Sequence, residues 1–390
     1  MQTEKMIGAS AIIKSLVHLG VTKIFGYPGG AIMPTYDALF GETSIQHVLV
    51  RHEQGAILAA EGYARVSGKV GVCIATSGPG ATNLVTGITD AMLDSVPIVC
   101  ITGQVLSSLI GTDAFQEADI MGMTVPITKW NYQISNPQEI PYILAKAFHV
   151  AQSGRPGPVL IDITKDAQNL EMNFDPQIMN QFLLNKQDIP DIKYEQAAQL
   201  INAAKRPYIF AGHGVTIAGA QAELVRFAEK TGIPVACTLH GLSTIDMEHP
   251  LYVGMLGMHG NYGPNILTNE ADLIIAIGMR FDDRVTGSLT NYATKAKIIH
   301  IDIDKAELHK NIIANVAICG DAKLVLSELY KHVMPSVHTD WINRFKDCYK
   351  IEYDKIIHNE ITTNKTNLAS PQIATFAIMF LCNSALSISI

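Results

Sequence analysis

The sequence predicts an α/β protein made of two consecutive parallel-sheet α/β domains. Short apolar runs rich in Val and Ile recur without the polar alternation of a one-sided strand, as strands buried on both faces require. Between them lie segments with apolar residues at helical spacing. Each run gives way to a polar or glycine-containing turn, the punctuation of strand–turn–helix units.

Taken in chain order, Ala9, Ile12, Ile13, Leu16 and Val17 share one face of a helix that Gly20 can stop. Strands are expected at residues 23–25, 45–49, 70–75, 96–102 and 158–163, which places the first domain at residues 1–164. Residues 165–191 are polar, with Asn, Gln and two prolines, and read as a linker. A second α/β domain follows over 192–335, with strands at 208–211, 273–277 and 298–303. Residues 339–366 are charged and helical in flavour but offer few anchoring apolar positions, so 336–369 too reads as a linker. The final piece, 370–390, holds an 18-residue stretch without charge (373–390), barely long enough for a membrane span. Asn383 and four hydroxyl side chains dilute it, so the start of a further domain or an altered C-terminus is expected instead.

A chain of 390 residues has room for two or three domains. Its 48% hydrophobic and 17% charged residues favour a well-buried globular protein. A net charge of -7 gives no reason to expect nucleic acid as a partner. The six cysteines, at 73, 100, 237, 319, 348 and 382, form no Cys-x-x-Cys pair and no metal-ligand spacing, which suits reduced thiols in the cytoplasm. The N-terminus shows no secretory or transit pattern, which also suggests a cytoplasmic protein, and a membrane partner is not expected.

The chemistry concentrates in two stretches. Val50-Arg51-His52-Glu53-Gln54-Gly55-Ala56 puts a lone carboxylate at the head of a small-residue helix, and Thr76-Ser77-Gly78-Pro79-Gly80-Ala81-Thr82-Asn83 begins 23 residues after Glu53. An acid at a helix N-terminus is favourable without any further role. Tyr27-Pro28-Gly29-Gly30-Ala31 is strong turn punctuation, yet its small residues would also let a flat ligand approach the backbone. Each loop alone is ambiguous. As an ordered set they resemble the thiamine-diphosphate enzymes, and among these the acetolactate synthase large subunits.

That resemblance extends over residues 1–335. Ala114-Phe115-Gln116-Glu117-Ala118-Asp119, Ser153-Gly154-Arg155-Pro156-Gly157-Pro158-Val159, Thr164-Lys165-Asp166, Gly257-Met258-His259-Gly260, Gly278-Met279-Arg280-Phe281-Asp282-Asp283-Arg284 and His300-Ile301-Asp302-Ile303-Asp304 all share it. It implies a pyrimidine-binding first domain and an FAD-binding central domain. Glu53 would be the catalytic acid that shares a proton with N1′ of the aminopyrimidine. Tyr27, Gly29, Gly30, Ala31, Pro79, Asn83 and Gln116 would line the thiamine-diphosphate side, and Phe115 and Lys165 the substrate channel.

FAD contacts are implied for Arg155, Gly212, Gly214, Thr238, Leu239, Met258, His259, Gly260, Gly278, Met279, Arg280, Asp302, Ile303 and Asp321. Gly212-His213-Gly214 follows a strand, but no Gly-x-Gly-x-x-Gly is present, so the dinucleotide fingerprint itself is missing. Arg155 and Arg280 suit phosphates because a guanidinium donates two parallel hydrogen bonds. The family places His259 against the flavin rather than using it as a base, and the flavin is chiefly structural. Asp282-Asp283, flanked by Arg280 and Arg284, reads as a salt-linked loop rather than a metal site.

The resemblance also implies Mg²⁺, held in this family by an Asp in Gly-Asp-Gly and a later Asn in a third α/β domain. No Gly-Asp-Gly occurs here; Gly320-Asp321-Ala322 is the nearest approach, so no metal ligands are assigned and the third domain is expected to be missing. The implied reaction decarboxylates pyruvate and joins the remainder to pyruvate or 2-ketobutyrate, the first common step toward branched-chain amino acids. Implied partners are these 2-keto acids, further copies of the chain, a regulatory small subunit and a separate chain supplying the third domain. The alternatives are an inactive or split flavin-binding assembly chain, and another thiamine-dependent 2-keto-acid decarboxylase. A carboligase lacking the acid at position 53 is disfavoured by Glu53.

Overall fold

A computed structural model describes residues 4–182 and 193–358 of the chain, which divides into two units, Met1–Asn185 and Lys186–Ile390. The first holds strands β1 (Glu4–Ile7), β2 (Lys23–Gly26), β3 (Gln46–Leu49), β4 (Gly71–Ala75), β5 (Ile98–Gln104), β6 (Trp130–Ile134), β7 (Pro158–Thr164) and β8 (Glu171–Phe174). Six of them form a parallel sheet in the order β3-β2-β4-β5-β7-β6. Every residue of β4, β5 and β7 is buried. Alternate residues of one strand feed opposite cores. Val72 and Ile74 pack with the helices Gly8–His18 and Ile140–Gln152, while Cys73 and Ala75 pack with Glu53–Ser67 and Val85–Asp94. That division explains why the strands read as unbroken apolar runs.

The polar segment after β7 is not a simple linker. Residues 165–182 form the helix Lys165–Asn169, then β8, then the 3-10 turn Pro176–Phe182. β8 pairs antiparallel with β1 in a separate two-stranded sheet. Its Met172 and Phe174 enter the core while Glu171 and Asn173 stay outside. A four-residue alternation embedded in polar sequence is too short to stand out.

The second unit holds β9 (Pro207–Ala211), β10 (Val235–Cys237), β11 (Tyr252–Met255), β12 (Leu273–Ile277), β13 (Lys297–Asp302) and β14 (Val316–Cys319). They form a parallel sheet in the order β11-β10-β9-β12-β13-β14, the doubly wound order of dinucleotide-binding folds. Here too the strands split their side chains between two cores, Ile209 and Ile275 on one face, Tyr208 and Ile274 on the other.

The helix Thr339–Glu352 corrects the second linker expectation. Its Trp341, Phe345 and Cys348 are buried in the core that contains Tyr208, and Trp341 Nε1 donates to the Pro207 carbonyl at 2.9 Å. Three apolar anchors on one helical face suffice despite a charged remainder. The piece expected at 370–390 lies outside the described residues. No helix among the described residues is long and apolar enough to cross a membrane.

Candidate functional site

In the first sheet the chain passes from β2 to β3 on one side and then to β4 on the other. The carboxyl ends of β2 and β4 therefore flank a topological switch point, where open α/β sheets bind ligands. The Tyr27–Ala31 loop follows β2, and the Thr76–Asn83 stretch follows β4. β3 leads through Val50-Arg51-His52 to the helix Glu53–Ser67.

Glu53 is the first residue of that helix and is only 8% exposed. The ring Nδ1 of His52 caps the helix by accepting from the Gln54 amide at 3.1 Å. Asn83 Nδ2 donates to Glu53 Oε2 at 2.9 Å. The other oxygen faces Gly80, where an added Cβ would lie 3.2 Å from Oε1 and 2.7 Å from Thr76 Cγ2. One oxygen is thus fixed and the other opens toward a cradle kept clear by a missing side chain. Such a carboxyl can share a proton with a ring nitrogen of a flat ligand.

Two further loops meet this centre. The Ala31 amide donates to Thr76 Oγ1 at 3.2 Å, tying the Gly29-Gly30-Ala31 turn to the end of β4. Gln116 is exposed and held in the left-handed region (φ 59°), its carbonyl seated against Gly78, one residue before Pro79. Phe115 and Tyr27 are 87% and 43% exposed. Lys165 is half-buried at the start of its helix, and its amide donates to the Val105 carbonyl at 3.3 Å. Among the residues expected at this site, side-chain hydrogen bonds join Glu53 to Asn83, and Thr76 links in Ala31. Tyr36, which sequence reasoning missed, lies near Glu53. Burial, reinforced by Cys73 and Glu53, pushes its hydroxyl well above the usual tyrosine range.

In the second sheet the chain winds from β9 through β10 to β11, then crosses to β12 on the far side of β9. Gly212 after β9 and Gly278 after β12 stand on either side of this switch point and touch. A Cβ on Gly212 would come within 2.2 Å of the Gly278 carbonyl oxygen, and Gly278 itself has φ +59°. Only glycine permits that approach. Thr238 and Leu239 follow β10, Met258-His259-Gly260 follow β11, Met279-Arg280 follow β12, and Asp302-Ile303 end β13. The expected flavin residues of this unit therefore gather at one end of the sheet.

Their side chains already carry local duties. Asp321 caps the helix Ala322–His332, accepting from the Lys323 and Leu324 amides at 3.0 and 3.1 Å. Asp302 accepts from the Asp304 amide at 2.8 Å. His300 Nε2 lies 2.9 Å from the Met279 carbonyl and holds the Met279-Arg280 turn. Arg280 lies 3.8 Å from Asp282, and Arg284 3.8 Å from Asp283, as a salt-linked loop. Arg155 belongs to the first unit, where it donates to Ser95 Oγ at 2.8 Å and to the Leu93 carbonyl at 3.2 Å. Sequence reasoning assigned no role to Thr76 or His300, because both act through neighbours distant in sequence.

The family model of the thiamine pyrophosphate enzyme N-terminal TPP binding domain matches residues 6–123, and that of the thiamine pyrophosphate enzyme central domain matches 194–329. The chain is 53% identical over 359 residues to the acetolactate synthase large subunit of Corynebacterium glutamicum, covering 89% of this chain and 56% of that protein. It is 49% identical over 352 residues to the acetolactate synthase isozyme 2 large subunit of Escherichia coli strain K12, covering 90% and 63%. It is also 49% identical over 358 residues to a probable acetolactate synthase large subunit of Methanocaldococcus jannaschii, covering 89% and 60%. The chain thus spans somewhat over half the length of the curated relatives it matches.

Proposed function

The chain belongs to the thiamine pyrophosphate enzyme family, among the acetolactate synthase large subunits, and from that premise we propose that it serves acetolactate formation from 2-keto acids. The observation that carries the proposal is Glu53, buried, gripped by Asn83 and facing the space that Gly80 leaves. Bound thiamine diphosphate would supply a carbon nucleophile able to decarboxylate pyruvate and join the remainder to a second 2-keto acid. In this reading Glu53 holds and moves the proton at N1′ of the aminopyrimidine, and Asn83 keeps its carboxyl in the plane that does so. Gly29, Gly30 and Ala31 leave room beside the reacting carbon, while Pro79 and Gln116 wall the pocket. Phe115 and Lys165 stand toward the substrate entrance.

The second unit would hold FAD as a structural group. Its doubly wound order and the bare backbone at Gly212, Gly214 and Gly278 fit a dinucleotide's diphosphate, and Thr238, Leu239, Met258, His259, Gly260, Arg280, Asp302 and Ile303 surround that end of the sheet. Arg155 and Asp321 belong to the same proposal. No Mg²⁺ ligands are proposed among the described residues. Their group of three carboxylates close enough for a cation is Glu61, Asp90 and Asp94, and Arg65 already donates to Glu61 and Asp94 at 2.7 and 2.6 Å. Self-assembly, a regulatory small subunit and a cytoplasmic setting complete the proposal. Self-assembly rests on the family resemblance alone, the small subunit on the relatives' description as large subunits, and the cytoplasmic setting on five described cysteines that are all free thiols.

The test is a colorimetric acetolactate assay on the purified chain with pyruvate, thiamine diphosphate, Mg²⁺ and FAD. Product that disappears in Glu53→Gln supports the proposal, and product formed equally by both proteins overturns it.

A further inference from the structure

We propose that Gln168 is a positioning residue that clamps the Ala31 peptide and so fixes one wall of the keto-acid pocket, an inference that rests on the pocket reading of the Gly29-Gly30-Ala31 turn. Gln168 is completely buried in the helix Lys165–Asn169, far in sequence from that turn. Its Nε2 donates to the Ala31 carbonyl at 2.9 Å and to the Ile163 carbonyl at 3.2 Å, while its Oε1 accepts from Thr35 Oγ1 at 2.9 Å. Both amide hydrogens and the amide oxygen are used. The opposite amide orientation would set Oε1 against two carbonyl oxygens, so the surroundings select this one.

The Ala31 peptide is thereby held at both ends, its N–H by Thr76 at 3.2 Å and its carbonyl by Gln168. Its remaining side rests on β5, where a Cβ on Gly103 would come within 2.7 Å of the Ala31 carbonyl carbon. Gly30, one residue earlier, is exposed, and a Cβ there would meet nothing within 4 Å. The turn is rigid at its buried end and open where a ligand would lie. Gln168 also ties this turn to the short helix that begins with Lys165, so the two sides of the proposed pocket are set by one side chain. Such preorganisation keeps a pocket wall in place before substrate arrives.

The test is hydrogen exchange measured by mass spectrometry on the full chain without added cofactor. Gln168→Leu leaves the carbonyl of half-buried Ala31 without this donor. It should cut protection of residues 29–36 by about tenfold, the scale of one lost hydrogen bond, with β4 and β5 unchanged. Gln168→Glu keeps an acceptor for Thr35 but loses the donor to Ala31, and should behave the same way. Thr35→Val spares the Ala31 bond and should leave the turn protected. In the acetolactate assay, Gln168→Leu should raise the pyruvate KM about tenfold with a smaller change in kcat, the mark of lost positioning rather than lost protein. Unchanged protection at 29–36, an equal loss across the whole sheet, or an unchanged KM overturns the proposal. A wild-type chain without activity counts against the proposed function alone, since the exchange pattern judges the clamp by itself.

Discussion

Asn83 Nδ2 sits 2.9 Å from Glu53 Oε2, joining the turn after β4 to the first residue of the helix after β3. The bond spans the switch-point strand β2 and fixes which oxygen of Glu53 stays free. Asn83→Ala removes the grip and leaves the carboxyl able to rotate. The loss of one hydrogen bond to a charged or shared-proton group, about 1.5–3 kcal/mol, should lower acetolactate turnover by roughly tenfold to a hundredfold. Steady-state assays and a melting curve together check this, because the melting temperature should move little for a half-buried side chain.

Gly80→Ala tests the cradle. Its Cβ would crowd Thr76 Cγ2 at 2.7 Å and Glu53 Oε1 at 3.2 Å. Overpacking of this kind costs about 1–3 kcal/mol. The expected result is a folded protein whose apparent affinity for thiamine diphosphate falls by at least about tenfold, measured by cofactor titration of activity. Unaltered affinity would place the aminopyrimidine elsewhere.

Gly278→Ala should damage the second unit. The residue has φ +59°, and its new Cβ would approach Gly214 Cα to 2.5 Å. A strained backbone angle and a backbone clash together should cost at least about 2 kcal/mol. Urea unfolding should detect the loss, and the visible absorbance of retained flavin should fall with it.

His300 gives a pH dependence. It is 1% exposed, its Nδ1 is buried without a hydrogen-bond partner, and desolvation lowers its pKa below the ordinary histidine value. The unfolded chain gains a proton near pH ~6.5, whereas the folded chain resists until a lower pH. Because the unfolded state then binds more protons, stability falls as pH drops below about 6.5 toward the depressed folded value. His300→Gln can still donate to the Met279 carbonyl but does not titrate. Urea unfolding across this window should show a slope shallower by up to about 1.4 kcal/mol per pH unit.

Much of the fold was legible because the central strands are buried on both faces, so β4, β5, β7 and β12 announce themselves as runs rich in Val, Ile and Leu, and β9 as an apolar run with two aromatic residues. β8 and the helix Thr339–Glu352 were not, because a few apolar anchors among polar residues carry each of them. The doubly wound order of the second sheet was equally hidden. Strand order follows from crossovers, and the glycine pair Gly212 and Gly278 that marks its switch point is split across two distant loops rather than written as one motif. At the proposed site, Glu53, Asn83 and the glycine turns lie in the local motifs that carry the family resemblance. The roles of Gln168, Thr76 and His300 were not legible there, since each depends on a partner that folding brings near.

The most direct measurement is exchange of the C2 proton of thiamine diphosphate, followed by proton NMR after acid quench, in the presence of the chain and of Glu53→Gln. If Glu53 moves the proton that activates the cofactor, the wild-type chain should speed exchange over free cofactor, and the substitution should remove roughly a hundredfold or more of that gain. Equal acceleration by both proteins, at matched cofactor occupancy, would contradict the assignment of Glu53 as the acid of this site.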